Sequence, residues 1–510
     1  MAISDFAPVL QNPNIPWGVP MEGISQIAKT PQSVLWGAQR GLYYEWWKWF
    51  DGRSLAEKDP GSTDPNAYIY PLGINPIEMI CQKHATGLFG EVPDEADNMV
   101  EFYYRDADDK TTPATERLSS LVNQIWAENH GRGLQQQNAL LSQFLGGCVF
   151  RVGYEPADLE RPSKIRLSSL LPDFYMPIYD GSDPWNLIET YVMYYITSQE
   201  AKDRYGVVVE LPSQNRALYV EHWTKDSYEL QVGGQTPHLQ IGFADLVTKG
   251  TNPYGSVPYI YIPHLRRTGG YYGWSHVPSL IGITKELNSR LADIGDNVRD
   301  NAQALYWLRN VAYSIKLRRI ENAITAIDLG GAGPSGREPD MTRLDVPTSN
   351  SMSMDYAKEL WEYIEKVGAV PGVAWGMDEG SQRSALTLSV RMWPFTSHIR
   401  EERAQWTTGL QAVNRMIIKI LLAKGEAGVT PDMLALKCRV KWHPIMPRER
   451  AEMVEEMVAR KGVHLVSKRS AVQQLGSGQD LETEMSLIDQ DIDDEAAVEK
   501  NMNPPTISAR

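Results

Sequence analysis

One stretch, Val277 to Leu305, restricts the fold more than any other. No proline follows Pro278, and Leu287, Leu291, Ile294, Val298, Ala302 and Leu305 recur at three- and four-residue steps. That spacing predicts a single uninterrupted helix with a narrow apolar stripe, on the order of 40 Å long at ~1.5 Å per residue. The rest of its surface is polar, carrying Lys285, Asn288, Arg290, Asp293, Asp296, Asn297, Arg299 and Asp300. A stripe this narrow suits packing between neighbouring helices beside water better than burial inside one core, although an ordinary surface helix would share the pattern.

The segments after this helix give it a context. Residues 306–350 lean towards β structure, with Val311–Leu317 and Ala323–Leu329 strand-like and Gly330–Gly336 a flexible loop. Met354–Val367 returns as helix, placing Leu360, Trp361, Ile364 and Val367 on one face. Helix, small β insert and returning helix together describe a hairpin-like excursion from a body. Gly368–Arg383 reads as a loop punctuated by Pro371, Gly372, Gly376 and Gly380. A long helical stretch follows, Ser384–Lys424, which Pro394 should kink.

The body itself mixes helix and strand. Residues 1–30 read as an extended arm, and Ser33–Phe50 as a helix crowded with Trp36, Tyr43, Tyr44, Trp46, Trp47, Trp49 and Phe50, ended by Asp51-Gly52. A second helix, Asn75–Leu88, carries Ile77, Ile80, His84 and Leu88 at helical spacing, where His84 reads as a packed or solvent-edge residue rather than a ligand. A strand is expected over 100–104, and helix over Thr115–Leu145 with a break near Gly131. Val149–Tyr154, Glu189–Ile196, Leu218–Thr224, Tyr228–Val232 and Val257–Ile262 are the best later strands, with Lys225-Asp226-Ser227 joining two of them as a hairpin. A strand over Cys438–Trp442, helices from Glu449 and an acidic end, Asp480–Glu499, complete the chain. The pattern is α+β and lacks the regular βαβ alternation of a doubly wound sheet. At 510 residues, roughly three or four domains are expected.

Composition narrows the function classes. The formal net charge of −14 argues against a protein that grips DNA by neutralising phosphates. It fits either a chain unrelated to nucleic acid or one past which DNA must slide. Cys81, Cys148 and Cys438 lie far apart, so neither a disulfide framework nor a zinc site is expected, and a reducing cytoplasm is the natural setting. Met1–Val9 has no basic region leading into an apolar run, so no secretory leader is expected. The most apolar helical stretch, Met416–Ala423, is short and contains Lys419, so no membrane insertion is expected either.

Gly331-Ala-Gly333-Pro-Ser-Gly336 fits G-x-G-x-x-G and follows a strand-like segment. Pro334 and Glu338-Pro339-Asp340 interrupt the helix that should hold a pyrophosphate, so a loop at the tip of the insert is the better reading. No phosphate-binding G-x-x-x-x-G-K-[ST] loop, H-E-x-x-H or G-x-S-x-G occurs. Basic residues cluster at Lys316, Arg318 and Arg319, suited either to an acidic partner or DNA phosphates or to plain surface charge.

Several motifs in a fixed order resemble the portal proteins of tailed bacteriophages, the head-to-tail connector family. Tyr44–Gly52 is similar to that family's aromatic helix ending in glycine, and Asn75–Ile77 through Gly87–Pro93 to its segment with a Leu-Phe-Gly turn. Gly147–Tyr154 and Tyr219–Thr224 resemble strands of its wing. The fullest likeness is Asn252–Pro258, Ile262–His264 and Tyr272–Ser275, which run into Leu280–Asn288 as the wing runs into the stem. Trp442–Pro447 and Ser467–Gly476 resemble the approach to the crown. The likeness spans about Ser33 to Glu484, departing at Arg391–Pro394 and in the tryptophan content of the first helix.

The resemblance implies a portal fold: arm and wing over residues 1–275, stem helices over 276–305 and 354–367, a clip over 306–353, a tunnel loop over 368–383, a kinked wing helix and strand over 384–446, and a crown with acidic tail over 447–510. It implies a homo-oligomeric ring, commonly a dodecamer, at one capsid vertex of a virion assembled in the bacterial cytoplasm. Double-stranded DNA would pass through it non-specifically, and the large terminase subunit, the major capsid protein, a scaffold and a head–tail adaptor would be its partners. No cofactor, metal or catalysis is expected. Leu287, Leu291, Ile294, Val298 and Leu305 would pack the stem, and Lys316, Arg318 and Arg319 would dock a partner. Gly372, Val373, Ala374, Trp375, Gly376 and Met377 would face DNA, although the large apolar area of Trp375 equally suits packing within its own subunit. A tail adaptor or other virion component, and a dinucleotide-binding enzyme resting on Gly331–Gly336, are the alternatives.

Overall fold

The computed structural model describes residues 31–57, 69–70, 72–155, 164–183, 185–208, 216–234, 246–267, 270–302, 305–309, 340–344, 351–376, 385–426, 428–445 and 459. The chain divides into two compact units, Met1–His443 and Pro444–Arg510. The arm over 1–30 lies outside the described residues, as do the expected crown and acidic tail over 447–510 except for Ala459. All the elements that follow lie in the first unit.

Helix α1, Pro31–Phe50, buries Trp36, Tyr43, Trp46, Trp47, Trp49 and Phe50, so its aromatic crowding serves one wide core face. Phe50 stacks on Phe144 at 4.1 Å between ring centroids and Trp47 meets the same ring edge-on at 5.0 Å. Gly52, at φ 76°, reverses the chain after α1. Helix α2, Pro76–Phe89, opens with proline, whose missing N–H costs nothing at that position. The Asn75 side chain just before it donates to the carbonyls of Trp49 and Phe50, tying α2 to the end of α1.

Strand β1, Glu101–Arg105, precedes α3, Pro113–Glu128, whose start is closed by a reciprocal Thr112–Thr115 capping box. Helix α4, Gly131–Leu145, follows after the expected break: His130 sits in the left-handed region at φ 55°, and a Cβ on Gly131 would meet the Trp126 carbonyl oxygen at 2.7 Å. Strands β2, Gly147–Tyr154, β3, Ile165–Leu170, β4, Tyr175–Tyr179, and β5, Leu187–Thr197, come next. Short helix α5, Ser198–Tyr205, leads to β6, Arg216–Thr224, β7, Ser227–Gly234, β8, Leu246–Thr251, and β9, Tyr259–Pro263.

These strands form a three-stranded sheet in the order β3-β2-β9 and a five-stranded antiparallel meander in the order β4-β5-β6-β7-β8. The expected β6–β7 hairpin is present, with Trp223 opposite Tyr228. Strands β3, β4 and β8 and helix α5 carry patterns too short or too irregular to stand out in the sequence. Strand β4 contains Pro177 and lies at the edge of its sheet, where a missing N–H can be tolerated. Glu221 on β6 is buried between the two sheets and accepts hydrogen bonds from Tyr219, Tyr259, Trp223 and Arg151. Its two oxygens thereby join the meander to β2 and β9.

Two short strands, β10, Leu265–Arg266, and β11, Gly273–Trp274, bring the chain to α6, Val277–Ala302. Strand β12, Leu305–Arg309, pairs antiparallel with β13, Asp340–Leu344, and α7, Ser351–Val367, follows. Helices α8, Ala385–Arg391, and α9, Trp393–Ala423, are separated at Met392. Pro394 lies in the first turn of α9, so the expected kink becomes a break where proline cannot donate to the ladder. Helix α9 buries Phe395, Ile399, Glu402, Trp406, Leu410, Val413, Ile417 and Ile420 at helical spacing. Trp406 faces Phe89 and Phe150, and Asn414 accepts from the Trp126 indole at 2.8 Å. Strand β14, Lys437–Lys441, pairs with β1.

Candidate functional site at the root of the helical hairpin

Among the described residues the expected order of helix, strand pair and returning helix is present: α6 is followed by β12, which pairs with β13, and α7 packs against α6. Leu287 and Ile294 of α6 are buried, as are Ala357, Leu360 and Ile364 of α7. Leu291 is half-buried and Val298 is 55 % exposed. Met354, Tyr356, Tyr363 and Val367 of α7 are also exposed. The helix is shorter than expected. It ends at Ala302, and Leu305 opens a strand opposite Leu344. The run Leu305-Tyr-Trp-Leu308 is rich in strand-forming residues, and pairing with β13 decides its conformation over the helical repeat.

Asn288 anchors α6 to the body. Its buried amide donates to the Ile74 carbonyl and accepts from the Ile74 N–H, both at 2.8 Å. At the other end of the hairpin root, α7 closes with two crossed bonds, Val370 N–H to Glu365 O and Ala369 N–H to Lys366 O. The left-handed position this motif needs is occupied by Ala369, at φ 53°. Glycine stands one residue earlier because a Cβ on Gly368 would meet Ile80 Cδ1 at 2.5 Å and the Ile364 carbonyl oxygen at 2.9 Å.

The loop then makes a 3-10 turn over Gly372–Trp375, ended by Gly376 at φ 75°. Gly372, Val373, Ala374 and Trp375 are half-buried and Gly376 is exposed. The Trp375 ring lies 5.4 Å from the Lys83 ammonium of α2, a cation–π contact within the chain. Met377, the basic trio Lys316, Arg318 and Arg319, the strand-like segments 311–317 and 323–329, and Gly331–Gly336 lie outside the described residues.

Behind this loop, four of the nine histidines of the chain converge on one carboxylate. His84 comes from α2, His264 from between β9 and β10, His276 from the residue before α6, and His398 with Glu402 from successive turns of α9. Glu402 Oε1 lies 2.9 Å from His264 Nε2, 3.2 Å from His398 Nε2 and 3.4 Å from His84 Nδ1. Gln143 of α4 donates to the other oxygen, Oε2, at 2.9 Å. His84 Nε2 is 2.8 Å from the Gly368 carbonyl, and its ring stacks on His276 at 4.3 Å between centroids.

Burial alone would raise the Glu402 carboxyl, yet His264, His398 and His84 hold it well below the usual carboxylate range. Burial lowers His84 against the pull of Glu402, and drives His276 well below the usual histidine value with help from its histidine neighbours. The sequence marks His84 as a packed residue, but its partners are contributed by segments far apart in the chain. The only local signal is the His398–Glu402 spacing, which places both on one helix face. Among the other chemistry-bearing side chains, Cys81 and Cys148 are buried, and Cys438 is half-buried. No helix among the described residues is long and apolar enough to cross a membrane.

A family model described as Phage portal protein, SPP1 Gp6-like, matches residues 98–497 of the 510. The match takes in both sheets, the hairpin, the loop and α9, whereas α1 and α2 precede it. No curated protein matches the chain.

Proposed function

Because the chain belongs to the phage portal protein family, SPP1 Gp6-like, we propose that identical copies close into a ring at one capsid vertex and that double-stranded DNA passes through its axis during packaging and ejection. The observation that carries this reading is the α6–α7 hairpin, with apolar side chains left exposed among the described residues. Val298, Met354, Tyr363 and Val367 are exposed on two packed helices, as a seam between copies requires. The family is a structural one, and the proposed work is containment and passage rather than covalent chemistry.

A channel for DNA must hold its cargo weakly, since every phosphate neutralised adds a salt-dependent attraction. A net charge of −14 per copy favours sliding over gripping. In this reading α6 and α7 from Met354 onward form the stem, residues 306–353 the clip, and the two sheets with α9 the wing. The turn at Gly372–Trp375 is the part of the tunnel loop nearest DNA, with Val373 and Ala374 as its small apolar surface. Trp375 divides its area between that surface and Lys83. The clip, through Lys316, Arg318 and Arg319, would dock the large terminase subunit and later the head–tail adaptor. Capsid protein and scaffold would surround the wing.

End-on electron micrographs of the purified protein test the ring, and annular particles with a central hole are the expected result. Monodisperse monomers across salt and protein concentration would overturn it. Charge reversal at Lys316, Arg318 and Arg319 should weaken terminase binding while leaving rings intact, and unchanged affinity would discard the docking role.

A further inference from the structure

We propose that His84, His276, His398 and Glu402 form a binding site for a divalent first-row transition ion of the zinc class at the root of the hairpin. One ligand atom from each of the four side chains lies within 4.8 Å of the others. Zinc takes nitrogen and oxygen ligands at about 2.0–2.2 Å, which sets tetrahedral ligand atoms roughly 3.3 Å apart. Glu402 Oε1 already stands 3.2 Å from His398 Nε2 and 3.4 Å from His84 Nδ1. Small side-chain rotations would bring His276 into the same shell.

Hydrogen bonding alone leaves this cluster unsatisfied. Three imidazole nitrogens are directed at one carboxylate oxygen, and only the one from His264 makes a hydrogen bond to it. His84 Nδ1, His276 Nε2 and His398 Nε2 are buried atoms with no hydrogen-bond partner among the described residues. His398 Nε2 and His84 Nδ1 approach Glu402 Oε1 off the line of a hydrogen bond and His276 Nε2 has no partner, so one carboxylate oxygen faces more groups than it can bond well. A cation accepting three lone pairs and one carboxylate oxygen removes the shortfall in one step.

The surroundings are built as a ligand shell is built. With the Gly368 carbonyl accepting from His84 Nε2, the lone pair of that ring is at Nδ1, facing the cluster. Gln143 fixes the free oxygen of Glu402, and His264 is itself held by the Trp274 carbonyl at 2.9 Å. Three nitrogens and one oxygen suit zinc-class ions, while calcium and magnesium prefer all-oxygen shells. Four protein ligands fill a tetrahedral shell, which makes the site structural rather than catalytic. The ion would pin α2, the start of α6 and α9 together directly beneath Gly368, independently of how the assembled protein is used.

The test uses full-length, untagged protein freed of metal with a chelator and titrated with Co²⁺ and then Zn²⁺. Expected are visible d–d absorption on Co²⁺ addition, its bleaching by Zn²⁺, and loss of both in the His276→Asn, His398→Asn double variant with an unchanged circular dichroism spectrum. Should that variant fail to fold, Gln143→Leu leaves all four ligands in place and should weaken Zn²⁺ binding about 10–100-fold. Absence of saturable uptake by the wild-type protein, or equal affinity in Gln143→Leu and the wild type, overturns the proposal in favour of a hydrogen-bonded core.

Discussion

Moving a glycine by one residue should stabilise the root of the hairpin in one direction and damage it in the other. Ala369 occupies the left-handed position that ends α7, at φ 53°, which costs a residue with a Cβ roughly 1–2 kcal/mol. Glycine at 369 would relieve that cost but lose about 0.4–1 kcal/mol through its freer unfolded chain. Ala369→Gly should therefore gain roughly 0.5–1 kcal/mol. At 368 the balance reverses. A methyl group there would stand 2.5 Å from Ile80 Cδ1, and Ile80 is 1 % exposed, with little room to give way. Overpacking of this kind costs about 1–3 kcal/mol, more than alanine recovers in chain entropy. Gly368→Ala should destabilise by about 1–2 kcal/mol, a factor of roughly 5–30 in local opening. Hydrogen exchange at the Ala369 and Val370 amides, which make the closing bonds, reads this locally on a single oligomeric species. Equal or slower exchange in Gly368→Ala would show that α2 does not press on this turn and refute the packing argument.

Other outcomes are equally specific. Val298→Asp adds a charge where the chain is 55 % exposed, so it should change the stability of an isolated subunit by no more than about 0.5 kcal/mol. Light scattering should nevertheless find smaller assemblies, and full-mass rings would place the seam elsewhere. Deleting Gly372–Gly380 should leave rings intact but impair packaging, and normal DNA-filled heads from that mutant would remove the loop from the channel. Burial pushes the Asp173 carboxyl above its ordinary value, although Arg40 at 2.7 Å pulls the other way. Its stabilising contribution is then fully present below the unfolded pKa and lost as pH rises through the native one. Asp173→Asn should flatten that part of the stability profile, and an unaltered slope would contradict the assignment.

Much of this architecture is legible because it is written in periodicity. The stripe of α6, the face of α7 and the repeat of α9 each use three- and four-residue steps, and Gly131 and Pro394 mark breaks that the structure contains. Leu305 misleads because it continues the helical repeat while also opening the strand-forming run to Leu308, and only pairing with β13 decides between them. The glycines after α7 read as loop punctuation. For Gly368 the reason is contact, since Ile80 is remote from that loop in the sequence but lies against it in space. Beyond the His398–Glu402 pair on one face of α9, the histidine cluster could not be read from spacing, because α2, the β9–β10 junction and the start of α6 supply the rest of it.

The pairing of Leu305–Arg309 with Asp340–Leu344 has an evolutionary consequence. The ladder fixes where residues 310–339 begin and end, so a change of length between them leaves the separation of those ends unchanged. Doubling the number of residues between two fixed ends costs only about 0.6 kcal/mol in closure entropy. Sequences of different length and charge can therefore be inserted between the two strands without retuning the helices, so a lineage could exchange the machinery it recruits while inheriting the same scaffold.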